Sequence, residues 1–283
     1  MPDLSVIYEW IPVIFPWQCM KAHFMQQALI ALLLLAPMVS AMGVQVVNFH
    51  MAFFSDAISH SAFAGLALGL LFAIHPHISM PIFAMAVGLC IMYMQRKSKL
   101  SSDTVIGVFF SSVIAFGLAV VSRHPSISRD MQQFLYGDIL TINEIDIYCL
   151  FGLFIILLLF QILGYNKLLY IGLNPSLAKA HKVHVAFYQY VFAALLSLVV
   201  IFSVWAVGVF LVTALMIIPA ATARNMARSA GSMFWWAILI SLVSTILGLI
   251  LSAQPWANTA TGATIVLVSF AFFLLSLIGI HKK

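Results

Sequence analysis

Long apolar runs separated by short polar breaks occupy most of the chain, with Gly, Pro and charged residues marking the breaks. Read as punctuation, those breaks predict nine helices, at about 27–47, 56–74, 77–94, 104–122, 147–164, 187–204, 206–222, 233–253 and 259–280. Most approach the roughly 20 apolar residues that carry a helix across a hydrocarbon core of about 30 Å. The break between the sixth and seventh rests on the stretch from Trp205 to Gly208 alone. Eight spans plus a re-entrant or interfacial piece fit the same pattern. Ahead of the first run, residues 1–26 read as an N-terminal interfacial segment. Trp10, Phe15 and Trp17 suit the headgroup level. Asp3 and Glu9 stand where a cleavable signal would be basic, and Pro12 and Pro16 interrupt its apolar stretch. The remainder, 27–283, reads as one all-α, polytopic transmembrane domain with eight or nine helices.

Composition removes the competing class. The chain is 64% hydrophobic and 7% charged, whereas a soluble domain has about 45–50% apolar and about 25% charged residues. Cys19, Cys90 and Cys149 form neither a disulfide framework nor a CxxC motif, and read as packing residues. The net charge of +5 gives no pointer to nucleic acid, because basic residues in such a chain report orientation. Arg96, Lys97, Lys99, Lys167, Lys179, Lys182, Arg224, Arg228, Lys282 and Lys283 fall on one face, ten of the thirteen basic residues. That face is cytoplasmic by the positive-inside rule, with the N-terminus outside and the C-terminus inside.

Missing motifs narrow the function. There is no GxxxxGK[ST] phosphate loop, no HExxH and no GxSxG, so neither ATP hydrolysis of the usual kind nor the simplest protease or esterase chemistry is available. Transport or a structural role remains. Of the eight acidic residues, only Asp56 lies in or at the edge of an apolar span without belonging to a polar loop. It stands in SDAISHSAFAG, residues 55–65, with His60 four positions on, and residues four apart share one face of a helix. An Asp at a helix centre in the bilayer costs about 2.5–3.5 kcal/mol, so it faces protein or water. Two readings stand: a metal half-site, or an Asp–His hydrogen bond fixing helix packing.

Two loops are long enough to carry a role. Residues 165–186 form the longest cytoplasmic segment, where Asn174 followed by Pro175 reads as an N-cap and first helical position. The helix it opens sets Leu177, Ala178 and His181 on neighbouring faces and exposes Lys179 and Lys182, either as a docking element or as a capped surface turn. The outer loop holds His124, Gly137, Asp138 and further acids, and either attracts cations or is simply solvated. His75 and His77 flank Pro76 at the outer end of the second span, lining the way in or making a turn.

Four blocks resemble one family. SDAISHSAFAGLALG at 55–69 resembles the Asp–His signature of the zinc and manganese ABC-transporter permeases. WAVGVFLVTALMIIPAATAR at 205–224 resembles their second signature, FLYGDILTINEID at 134–146 an outer segment, and LNPSLAKAHKVHV at 173–185 the segment bearing their coupling helix. The blocks are collinear and run from about residue 25 to the end. The outer block points toward the ZnuB-type zinc-uptake branch. The resemblance implies the ABC importer permease fold and a homodimeric pore in the bacterial inner membrane. It implies two copies of a separate ATPase subunit and a periplasmic or lipid-anchored metal-binding protein. The coupling role carries onto Asn174, Pro175, Leu177, Ala178 and His181.

With that resemblance, Asp56 and His60 from each of two protomers make four ligands, the number zinc prefers. No cofactor is held permanently; the divalent metal is cargo, zinc above manganese. Ala57, Ser61, Ala64 and Gly65 are small enough for close approach of another helix, so that the two copies can meet. Gly65, Gly208 and Pro219 read as packing or gating positions, and the second signature as having no direct ligand role. Where the family has a basic pair ahead of the Asp–His block, this chain has Asn48, Phe49 and His50. His50 is a further ligand candidate or a plain loop residue. Competing functions are manganese import by the same architecture, a secondary transporter coupled to an ion gradient, and an intramembrane metalloenzyme. The first has the same ligands available. The second needs inverted repeats and a chain of intramembrane acids, and the third lacks a third ligand or general base.

Overall fold

A computed structural model of the chain describes residues 8, 10–12, 17–122, 142–254 and 259–280. In chain order the helices are α1 (His23–Asn48), α2 (Phe54–Leu71), α3 (Pro76–Lys97), α4 (Ser102–Val121), α5 (Glu144–Leu173), the short α6 (Pro175–Ala180), α7 (Val185–Val207), α8 (Val209–Met226), α9 (Ala230–Ser252) and α10 (Thr261–Ile280). Among the described residues, nine of these are long and apolar enough to cross a membrane. Eight begin and end within four residues of the positions read from the hydropathy breaks.

The exception is α5. Its apolar run stops at Gly164, but the helix continues to Leu173. The polar residues past the run find partners on neighbouring helices: Tyr165 donates to the Ala230 carbonyl at 2.8 Å, and Lys167 donates to the Tyr188 hydroxyl at 2.7 Å. The helix stops where Asn174 turns extended ahead of Pro175, a residue that disfavours helical backbone before it.

The spans pack in two groups. In one, α2 lies against α3 and α4, and α3 against α7; in the other, α8, α9 and α10 pack on one another, with α1 against α8 and α9. The helices α2 and α8 touch along the seam between the groups. Gly208 separates α7 from α8 at φ 84°, a left-handed backbone that favours glycine. The two helices diverge from this single-residue corner, and both run back toward the basic end of the molecule. Pro219 is buried within α8, where its ring removes the N–H that would meet the Leu215 carbonyl.

The small residues of the Asp–His block do not have the role read for them from sequence. Ala57, Ser61, Ala64 and Gly65 are all buried inside the single chain. A Cβ on Gly65 would lie 3.0 Å from Met80 Cα on α3, and one on Gly117 of α4 would lie 3.6 Å from the Ala64 nitrogen. Gly65 and Ala64 thus pack against α3 and α4 of the same protomer, so no second copy can meet the helix on that side.

Candidate functional site

From Phe54 to Gly69, α2 is buried at every position except Asp56, His60 and Leu68. The two residues that carry chemistry are therefore also the two that the chain leaves uncovered, one turn apart on one face. Neither nitrogen of His60 has a hydrogen-bond partner among the described residues. The ring is held instead by Phe63, with centroids 5.7 Å apart, and edge-on by Phe110 of α4 at 5.2 Å. An imidazole oriented by aromatic packing with both nitrogens free is ready to accept a ligand.

Among the described residues Asp56 has one hydrogen-bond partner, which the sequence reading does not identify. The Thr213 hydroxyl of α8 donates to Asp56 Oδ1 at 2.8 Å. This bond crosses the seam between the two helix groups. Thr213 belongs to a stripe of incompletely buried positions on α8, namely Phe210, Thr213, Ala214, Ile217, Ile218 and Ala221. Their spacing of three and four marks one helix face that the chain leaves open. From sequence the second signature reads as a packing and gating element with no direct ligand role; its one hydroxyl within VFLVTALMII is the available signal, a polar side chain in an apolar run, as Asp56 is in its own.

The helix neighbours give the depth of the pair. Phe54 and Ile58 lie against Gly88 of α3, 3.3 and 3.4 Å from where its Cβ would be. Gly88 is nine residues, about 14 Å, from the basic end of α3 at Lys97. Thr213 is eleven residues, about 17 Å, from Arg224. Both routes put Asp56 about halfway through a core of about 30 Å. Sequence alone leaves this depth open, because Asp56 opens its span. The helix does open there, but residues 49–53 first carry the chain back inward from the end of α1.

No group of three or more His, Cys, Asp or Glu side chains capable of holding a metal occurs among the described residues. One chain thus supplies two donors and an open face. His50 sits elsewhere, at φ 54°. With Asn48, Gln95, Arg96, Lys179 and Gln189 it lines a cavity of about 360 Å³ at the basic end. His75 caps α3, its Nδ1 accepting from the His77 N–H at 3.3 Å, while His77 packs edge-on against Trp205 at 4.3 Å. These contacts make a turn at the outer corner. Residues 134–141 of the outer block, with Gly137 and Asp138, and also His124, lie outside the described residues.

At the basic end, Asn174 Oδ1 accepts from the Ser176 and Leu177 N–H groups at 2.8 and 3.3 Å, so Asn174 caps α6 with Pro175 in its first turn. Ala178 is buried beside Ile171 and Val185. The His181 ring stacks on Tyr170 at 5.6 Å. Leu177, 47% exposed, points its apolar side chain away from the bundle between the exposed residues Ser176 and Lys179.

The sequence model of the ABC 3 transport family matches residues 21–280. The chain is 35% identical to the high-affinity zinc uptake system membrane protein ZnuB of Haemophilus influenzae, over 88% of this chain and 95% of that protein. It is 34% identical to the manganese import system permease protein ScaB of Streptococcus gordonii, over 90% of each. Its fold matches a chain of PsaBC from Streptococcus pneumoniae, solved in complex with Fab, with a TM-score of 0.78 and 31% identity over 97% of this chain and 95% of that one.

Proposed function

Because the chain belongs to the ABC 3 transport family, as a membrane-spanning metal permease subunit, we propose that it forms the zinc pathway of an ATP-driven importer in the bacterial inner membrane. Two copies associate across the open faces of α2 and α8, and the metal passes between two Asp56 and two His60 side chains. The observation that carries this reading is the pair itself: the only uncovered polar side chains of α2 share one face at mid-depth, with the imidazole nitrogens free of partners among the described residues. Carboxylate oxygen and imidazole nitrogen are both zinc ligands, and four of them complete a tetrahedron. A site without thiolate also releases its cargo more readily than a cysteine-rich one. Manganese is carried by some relatives and zinc by others; it tends toward more oxygen donors and higher coordination, which favours zinc here.

The chain has no phosphate loop, so ATP hydrolysis belongs to a separate cytoplasmic subunit, two copies per dimer. The capped helix α6, with Leu177 exposed beside Lys179, is its docking element. A periplasmic or lipid-anchored metal-binding protein delivers the ion to the outer face. In proteoliposomes, uptake is expected to require ATP, the ATPase subunit and the binding protein, with zinc outcompeting manganese. Uptake driven by a proton gradient alone would overturn the importer reading, and manganese winning the competition would reverse the metal assignment.

The docking role gives a smaller, separate expectation. Asn174→Ala removes the cap of α6, a loss of about 1 kcal/mol in helix stability. Metal-stimulated ATP hydrolysis by the assembled complex should fall several-fold, while metal binding to the permease stays unchanged. Stimulation at the wild-type level would remove α6 from the coupling path.

A further inference from the structure

The Thr213 hydroxyl had another acceptor available. Helix hydroxyls commonly donate to the carbonyl four residues back, and Ser40, Ser197, Thr222 and Thr245 do so in this chain, at 2.7–2.8 Å. Thr213 could likewise reach the Val209 carbonyl. It is turned instead across the seam to Asp56 Oδ1, at 2.8 Å, a charge-assisted bond stronger than a neutral one. Asp56 has no other hydrogen bond among the described residues, so one carboxylate oxygen is engaged and the other is left for a ligand. The same hydroxyl also fixes the rotation of the carboxylate relative to His60, whose ring is already set by Phe63 and Phe110.

Resting on the permease reading above, we infer that Thr213 is a positioning residue that sets metal preference: its bond uses one lone pair of Oδ1 and fixes the carboxylate's rotation, which favours one-oxygen ligation by Asp56. Two such carboxylates and two imidazoles give a four-coordinate site, which suits zinc. With both oxygens free, each Asp56 can bind in two-oxygen mode, as carboxylates do around larger ions of higher coordination. The coordination number then rises toward six, which suits manganese. Thr213 touches no metal in this scheme; it acts through Asp56. Outer-shell partners of this kind change metal affinity by about 10–100-fold.

The test uses the full dimer with its ATPase and binding protein in proteoliposomes, comparing Thr213→Val, Thr213→Ala and Thr213→Ser. Both hydroxyl-free variants should raise the half-saturating zinc concentration by about 10–100-fold, with the maximal rate little changed, and shift the zinc-to-manganese ratio toward manganese. Thr213→Ser keeps the hydroxyl and should restore the wild-type ratio. Cobalt(II) provides a readout that a purely structural role would not move. Wild type and Thr213→Ser should show the intense d–d bands of a four-coordinate ion, and Thr213→Val the weak bands of higher coordination. Wild-type selectivity and cobalt spectra in both hydroxyl-free variants would overturn the inference and leave the permease reading standing. Wild-type uptake by Asp56→Ala would instead overturn the site reading, and this inference with it.

Discussion

Replacing Asp56 or His60 with alanine is expected to reduce metal uptake to background while leaving the folded chain and its assembly with the ATPase intact. In the proposed two-copy site each substitution would remove two of four ligands at once, because a symmetric pore carries every change twice. The stability readout separates this reading from a packing role. Asp56 is partly uncovered at mid-depth and, among the described residues, held by one hydrogen bond, from Thr213. A carboxylate at that depth costs about 2.5–3.5 kcal/mol, while one charge-assisted hydrogen bond returns about 1.5–3 kcal/mol. Asp56→Ala should therefore leave the melting temperature near wild type or slightly above it. His60→Ala leaves a gap beside Phe63 and Phe110 and should lower it modestly. If the pair served only to fix helix packing, the melting temperature would fall together with any loss of uptake. Radiolabelled zinc uptake, thermal melting and co-purification with the ATPase decide the matter. Normal uptake by both variants would reject the site.

What could be read from sequence and what could not divides along physical lines. Hydropathy punctuation located the spans because a membrane helix must satisfy its backbone within itself and face lipid or apolar protein. The Asn174–Pro175 cap and the Gly208 corner were legible because both are local backbone chemistry. The Asp56–Thr213 bond joins residues 157 positions apart, and nothing local marks a threonine as the partner of one particular carboxylate. Depth was not legible for a related reason: Asp56 opens its helix, but where a helix opens depends on how residues 49–53 return from α1. The extension of α5 past Gly164 depended on Ala230 and Tyr188, which sequence spacing does not bring near. The small residues near Asp56 were recognised correctly as close-packing sites. Which helix they pack against is a property of the whole bundle, and α3 and α4 took the place assigned to a second copy.

Substitution of Gly43 is expected to have the broadest effect of any single change. Here α1 crosses α8 backbone to backbone. A Cβ on Gly43 would collide with the Met216 carbonyl oxygen, and would lie 2.8 Å from the carbonyl carbon and 3.2 Å from Met216 Cα. None of these atoms can rotate away as a side chain would, so the helices themselves must separate. Overpacking of a tight core costs about 1–3 kcal/mol. For Gly43→Ala that corresponds to a melting temperature lower by about 2–10 °C, and Gly43→Leu should yield little folded protein. The damage extends to function because Met216 lies one turn from Thr213. Displacing α8 moves the hydroxyl off Asp56, and Gly43→Ala should lose zinc uptake out of proportion to its loss of stability. Met216→Ala should not rescue it, since the obstruction is main chain. Gly107→Ala and Gly152→Ala are the matched controls: among the described residues no atom beyond the local helix backbone lies within 4 Å of a Cβ at either position, and alanine is the better helix former by about 1 kcal/mol. Both controls should melt at or above the wild-type temperature. Wild-type stability and uptake in Gly43→Leu would show that α1 and α8 do not meet at this point, and would remove the scaffold that sets Thr213 against Asp56.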